Sequence, residues 1–256
     1  MATIQKLSGV TGAGPIVYRK KGYGSGTLGG FDFKNTYCQP LGAATVPDAT
    51  SLNNLVRSGA VATVSGANAG TAGGGLTIAS GKKILLPTTF KIASGATDTL
   101  IILWLKHGTQ TLASGSATVF GWLTDTGANA NHGAYISSGN PNNMNFVGCG
   151  AFLGTLASFV GGTVYQIAIR LSKSGTTMSY ELYRNGALRT SGTATVASTY
   201  PQPSGTPVIG ASTAGSVSGI YIGEAYAIDI TDMTLETRTA ADIVLADYNL
   251  YSTRFS

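Results

Sequence analysis

The segment Thr163 to Gly192, TVYQIAIRLSKSGTTMSYELYRNGALRTSG, constrains the fold more than any other stretch. Tyr165, Ile167, Ile169 and Leu171 alternate with Gln166 and Arg170. After Ser172-Lys173-Ser174-Gly175, Met178, Tyr180 and Leu182 alternate with Ser179, Glu181 and Tyr183. Period-two alternation marks strands buried on one face. Asn185-Gly186 follows, and a short return strand runs through Leu188. A type I′ hairpin turn needs positive φ at both central residues, which Asn-Gly supplies. The segment therefore reads as a three-stranded antiparallel meander.

The rest of the chain agrees with an all-β reading. Charged residues are 11% of the sequence and 36 of its 256 residues are glycine. Such a chain suits turns and strands rather than long helices or a charged disordered tail. A chain of this length buries roughly 70–75% of its unfolded surface, enough for one large sandwich. Strands are expected at Leu55–Val64, Leu76–Ile78, Lys83–Leu86, Ala117–Leu123, Ala134–Ile136, Met144–Val147, Val208–Ala211 and Ile220–Ile230. Asp98–His107 (DTLIILWLKH) is apolar on both faces, as a covered central strand would be. One helix is expected over Leu235–Tyr251, with Thr239 as N-cap, Asp242 at N3, and an apolar stripe of Ile243, Leu245, Ala246 and Leu250.

Net charge is +5, and the first 30 residues carry four basic residues (Lys6, Arg19, Lys20, Lys21) and no acidic one. The remainder holds 12 basic and 11 acidic residues, or +1. Residues 1–30 therefore read as a basic, Gly-rich arm, and residues 31–256 as the folded domain. The arm is expected either to pack on a neighbouring subunit through Lys6, Tyr18, Arg19, Lys20 and Lys21 or to be a terminus with no fixed partner. A nearly neutral body lacks the basic stripe that nucleic acid requires. No run of about 18 apolar residues is present to insert in a membrane, and the first residues do not form a secretory signal. Cys38 and Cys149 are expected as free thiols of a protein made in a reducing cytoplasm. No cysteine–histidine cluster suggests zinc.

Several segments resemble laminin-G-like jelly rolls of the concanavalin A-like superfamily, of the kind found in bacteriophage tail, fibre and capsid-decoration proteins. The hairpin Tyr180-x-Leu182-Tyr183-x-Asn185-Gly186-x-Leu188 is similar to that family's strand ending in Asn-Gly. Leu100–Lys106 resembles its "F-T-I-S-A-W-V-K" strand, and Val208–Ala211 its "l-x-I-G" strand. Ile220–Ile230 resembles its closing strand, and the terminal helix its "L-s-x-x-E-I-x-x-l-Y" segment. Together these cover Phe31 to Tyr251 in family order. The resemblance implies a concanavalin A-like antiparallel sandwich with one short C-terminal helix. It also implies a non-enzymatic virion protein that attaches to other virion subunits and to copies of itself, with a face for host glycan. A host-surface carbohydrate-binding adhesin is the alternative reading.

The superfamily also contains glycosidases with paired acids on one strand. The nearest counterparts are Glu224, Asp229 and Asp232. Glu224 and Asp229 are five apart, which on a regular strand sets them on opposite faces and argues against hydrolysis. Glu224 is expected to be buried and paired, with Arg170 or Arg184 as partner. Calcium, which many relatives of this class bind, has oxygen donors in Asp125, Asn129 and Asn131, or in Asn140, Asn142 and Asn143. Such Asn-rich loops are commonly plain turns, so no cofactor is expected. Glycan binding would use Trp122, Asn131, His132 and Tyr135, with Tyr23 or Tyr37 as a second aromatic group. Trp104 and Trp122, being on strands, also read as core.

Overall fold

A computed structural model of the chain describes residues 22–42, 44–56, 59–71, 74–78, 81–90, 98–108, 116–123, 130–148, 150–196, 206–210 and 222–255. Its strands, in chain order, begin with β1 (Thr27–Asp32), β2 (Ser51–Leu52), β3 (Ala62–Ser65), β4 (Ala69–Gly70), β5 (Leu76–Thr77) and β6 (Lys83–Leu85). The long strands follow: β7 (Asp98–His107), β8 (Ser116–Leu123), β9 (Ala130–Ser137), β10 (Asn140–Gly148) and β11 (Ala151–Leu156). The meander is β12 (Val164–Ser174), β13 (Thr177–Arg184) and β14 (Ala187–Thr195). The chain closes with β15 (Pro207–Gly210), β16 (Ile222–Asp232) and helix α1 (Ala240–Phe255).

These strands form two antiparallel sheets. One runs β14-β13-β12-β7-β16-β5-β4, with β1 also paired to β16; the other runs β11-β10-β9-β8-β15-β6-β3-β2. Asn185 and Gly186 have φ of 52° and 77°, the left-handed pair that the hairpin reading requires. β14 extends well beyond Leu188, to Thr195.

Alternation decides which side each residue buries. Ile101, Leu103 and Leu105 of β7 join Ile167, Ile169 and Leu171 of β12 in the core between the sheets, facing Phe120, Ile136 and Phe146. Leu100, Ile102 and Trp104 point the other way, with Ala168 and Tyr183, into a second cluster under α1. The two-sided apolar run is thus a central strand covered on one face by the partner sheet and on the other by the helix.

The helix begins with reciprocal capping. The Asp242 amide donates to Thr239 Oγ1 at 3.2 Å, and the Thr239 amide donates to Asp242 Oδ2 at 3.2 Å. At its other end Arg254 pairs with Asp32 of β1 at 2.9 Å. The buried face is Ala240, Ile243, Val244, Asp247 and Phe255. Leu245 and Leu250 face solvent, contrary to the expected stripe. The reason is local: Trp104 and Gln166 point donors at the helix, and these draw Asp247 rather than a leucine against the sheet.

Other boundaries also shift. Leu55–Val64 is not one strand, because Asn54 turns the chain there. Its Oδ1 accepts from the Val56 amide at 2.9 Å and its Nδ2 donates to the Ala60 carbonyl at 3.3 Å, and β3 starts only at Ala62. β11 lies in a stretch the sequence left unassigned. The helix is preceded by a separate 3₁₀ turn at Met233–Leu235, so α1 starts later and ends later than expected. Within the expected arm, Thr27–Gly30 belong to β1 and pair with β16. Tyr23 donates to Asp229 Oδ1 at 2.7 Å. The sandwich therefore begins before residue 31. Lys6, Tyr18, Arg19, Lys20 and Lys21 lie outside the described residues.

Candidate functional site

The meander and β7 lay out a grid on the outer face of their sheet. Cross-strand register aligns Asp98, Ser172, Ser179 and Thr193 in one row and Leu100, Arg170, Glu181 and Ser191 in the next. A third row, Ile102, Ala168, Tyr183 and Leu188, starts beneath α1, where Ile102, Ala168 and Tyr183 join the helix cluster. Sequence alternation explains the grid: Met178, Leu182, Ile169 and Leu171 take the inner face, so the residues between them project outward. Beyond the cover of the helix, the β12–β14 members of the first two rows floor a depression of about 420 Å³. It is lined by Arg170, Ser172, Ser179, Tyr180, Glu181, Ser191, Gly192 and Thr193.

Arg170 organises its charge. Nε donates to Asp98 Oδ1 at 2.9 Å and Nη2 to Oδ2 at 2.6 Å, a bidentate fork. Nη1 donates to Glu181 Oε1 at 2.9 Å, and the Tyr183 hydroxyl donates to Glu181 Oε2. The hydrogen bond to Asp98, with the charges of both carboxylates, holds the guanidinium pKa above its ordinary value against the opposing effect of burial. Hydrogen bonding to Glu181 and burial raise that of the Tyr183 phenol, burial contributing most. Side-chain exposures of 30% for Arg170, 16% for Asp98 and 29% for Glu181 leave the triad reachable from solvent. The site thus offers fixed carboxylate acceptors, guanidinium N–H groups and the hydroxyls of Ser172, Ser179, Ser191 and Thr193, which can donate or accept.

The residues singled out from sequence lie elsewhere. Trp122 of β8 and His132 of β9 are cross-strand register partners, with Asn131 beside His132. Their side chains lie outside the described ones, so the backbone brings them together without defining their contacts. Tyr135, partly buried, pairs with Thr118 and Asn145 further along β9. Tyr23 and Tyr37 are partly buried and packed against the core rather than displayed on a loop. Trp104 is core, as read. Asp125 and Asn129 lie outside the described residues; Asn140, Asn142 and Asn143 are not loop residues but lie along β10, and the Asn142 carbonyl accepts from the Phe159 amide at 2.9 Å. Register irregularity between Asn140 and Asn145 is what lets Pro141 sit within that strand. Cys38 is a buried free thiol whose pKa burial pushes up; Cys149 lies outside the described residues.

The acids of β16 need two corrections. Bulges between Ile222 and Glu224 and between Ala225 and Ala227 break the alternation. Glu224 consequently accepts from Tyr226, whose ring lies in the helix-side cluster, and Asp229 pairs in register with Ile102 of that cluster, so both acids share the outer face. Register places Glu224 beside Lys106 and Asp229 beside Ile102, four β7 residues apart. At about 3.3 Å per residue that separates the two backbone positions by roughly 13 Å along the sheet. The ionic partner of Glu224 is Lys106, at 3.6 Å, and not Arg170 or Arg184. Arg170 is two strands away from β16 and committed to Asp98 and Glu181.

No protein-family model and no curated protein sequence matches the chain. Solved structures do share its fold. Trypanosoma rangeli sialidase in complex with sialic acid superposes at TM-score 0.64 with 11% identity, over 91% of this chain and 34% of the sialidase. A mutant of that sialidase displaying trans-sialidase activity gives 0.61 and 12%, over 90% and 34%. The binding domain of botulinum neurotoxin serotype D gives 0.59 and 11%, over 88% of this chain and 52% of the toxin chain. The chain thus spans about a third of the sialidases and about half of the toxin domain. At these identities the likeness establishes an all-β sandwich.

Proposed function

We propose that this chain is a non-catalytic carbohydrate-binding β-sandwich module, carried on a bacteriophage virion and presented to host-surface glycan. The observation that carries it is the hydroxyl-rich depression on β12–β14, whose Arg170 and Glu181 are held in fixed orientation with Asp98 of the adjoining β7. A saccharide is bound by many directed hydrogen bonds from preorganised groups, and this grid supplies them with little side-chain ordering left to do. The sandwich shared with a toxin binding domain and with sialidases supports the same reading. The virion context rests on the low charge, the basic N-terminal segment and the laminin-G-like resemblance. In that context residues 1–21 attach the module to other virion subunits and to its own copies.

A glycan array probed with the full chain tests the binding. Retention of saccharide by the wild type, and its loss in Thr193→Trp, which fills the depression from an exposed strand position, is the expected result. Retention undiminished in Thr193→Trp would refute the site. Attachment is tested by removing residues 1–21 only, because removal through Gly30 would also cut β1. A discrete oligomer in light scattering that falls to monomer is expected, and an unchanged state would end the arm's role.

A further inference from the structure

We infer that the β12–β14 depression selects uncharged saccharides over anionic ones. The inference rests on the carbohydrate-binding reading above and adds the class of glycan. Among the described residues lining the depression, Arg170 is the only cation, and Glu181 the only anion; Asp98 holds the guanidinium from the adjoining strand. One cation against two carboxylates leaves the triad at −1. Arg170 has five N–H donors, and three of them are given to Asp98 and Glu181.

A sugar carboxylate reaching the remaining donors would lie beside two carboxylates already within 2.9 Å of the same guanidinium. Like charges so placed repel, and the partly desolvated setting of the triad weakens screening. A neutral sugar meets no such repulsion. Its hydroxyl hydrogens have carboxylate lone pairs to donate to, and its oxygens can accept from Arg170, Ser172, Ser179, Ser191 and Thr193. Discrimination of this kind comes from a repulsive element built against the wrong ligand as much as from contacts to the right one.

Calorimetry on pairs of oligosaccharides that differ only in a terminal sialic acid, drawn from the neutral glycans retained on an array, tests this. The neutral member is expected to bind at least about tenfold more tightly, as like-charge juxtaposition at an interface implies. The gap should narrow with added salt. Ser191→Lys, which adds a cation at an exposed position beside Glu181, should close or reverse it, with circular dichroism showing the same fold. Tighter binding of the sialylated member to the wild type would overturn the inference and leave the carbohydrate-binding reading standing. Absence of any retained glycan, neutral or acidic, would instead remove that reading, and the inference with it.

Discussion

Trp104 Nε1 donates to Asp247 Oδ2 at 2.6 Å, joining β7 to α1 across 143 positions of sequence. The same oxygen accepts from Gln166 Nε2 at 2.8 Å, and that amide nitrogen also donates to the Val244 carbonyl at 2.9 Å. Gln166 Oε1 in turn accepts from the Gly186 amide at 2.8 Å. One buried network therefore fixes the helix, the central strand and the Asn-Gly turn relative to one another.

Asp247→Ala should be costly, because it strands the Trp104 donor and removes one partner of Gln166. A buried donor left unsatisfied costs about 1–3 kcal/mol, so a loss of at least about 2 kcal/mol is expected in urea denaturation. Leu245→Ser, on the exposed side of the same helix, should change stability by less than about 0.5 kcal/mol. Equal effects at the two positions would contradict this account of how the helix docks.

Two turn glycines should respond differently to asparagine, a residue that tolerates the left-handed region. Gly175 has φ of 57° and open space around the position of a Cβ, so Gly175→Asn should be nearly neutral. At Gly186 a Cβ would approach Tyr248 Cδ1 at 3.1 Å and Leu245 Cδ1 at 3.2 Å. Gly186→Asn should therefore be the more costly of the two, by an amount set by how far the Tyr248 and Leu245 side chains give way. Thermal midpoints of the two variants give the comparison directly.

His107 supplies a pH signature. It is buried and stacks on Phe159 with ring centroids 5.2 Å apart, and burial lowers its pKa from 6.5 to about 4. The unfolded chain thus takes up the proton first as pH falls. This contribution to stability is complete above about pH 6.5, declines between there and about pH 4, and is gone below. Its full span is about 3 kcal/mol at the usual conversion of pKa to free energy. Urea midpoints at pH 7.5 and pH 5, compared between wild type and His107→Leu, should show a steeper acid loss in the wild type. Parallel curves would mean that His107 is not held neutral by the fold.

Much of the architecture was legible because alternation and turn chemistry act locally. The meander, the two-sided β7 run and the Thr239–Asp242 cap follow from residues within a few positions of one another. What was missed depends on partners distant in sequence. Asp247 reads as a polar interruption of the helix until Trp104 and Gln166 are placed against it. The Glu224–Asp229 facing was misread because a bulge is invisible to a period-two count. The β12–β14 depression was overlooked because its serines and threonines are ordinary residues on three strands. Register brings them together, and the Asn185-Gly186 turn was the available clue to it.

The most direct test of the central claim is a map of amide chemical-shift changes across the protein as a neutral oligosaccharide retained on the glycan array is titrated in. Changes centred on Arg170, Ser172, Ser179, Glu181, Ser191 and Thr193 are the predicted result. Changes confined to Trp122, Asn131, His132 and Tyr135 would contradict it and move the binding face to the β8–β9 pair.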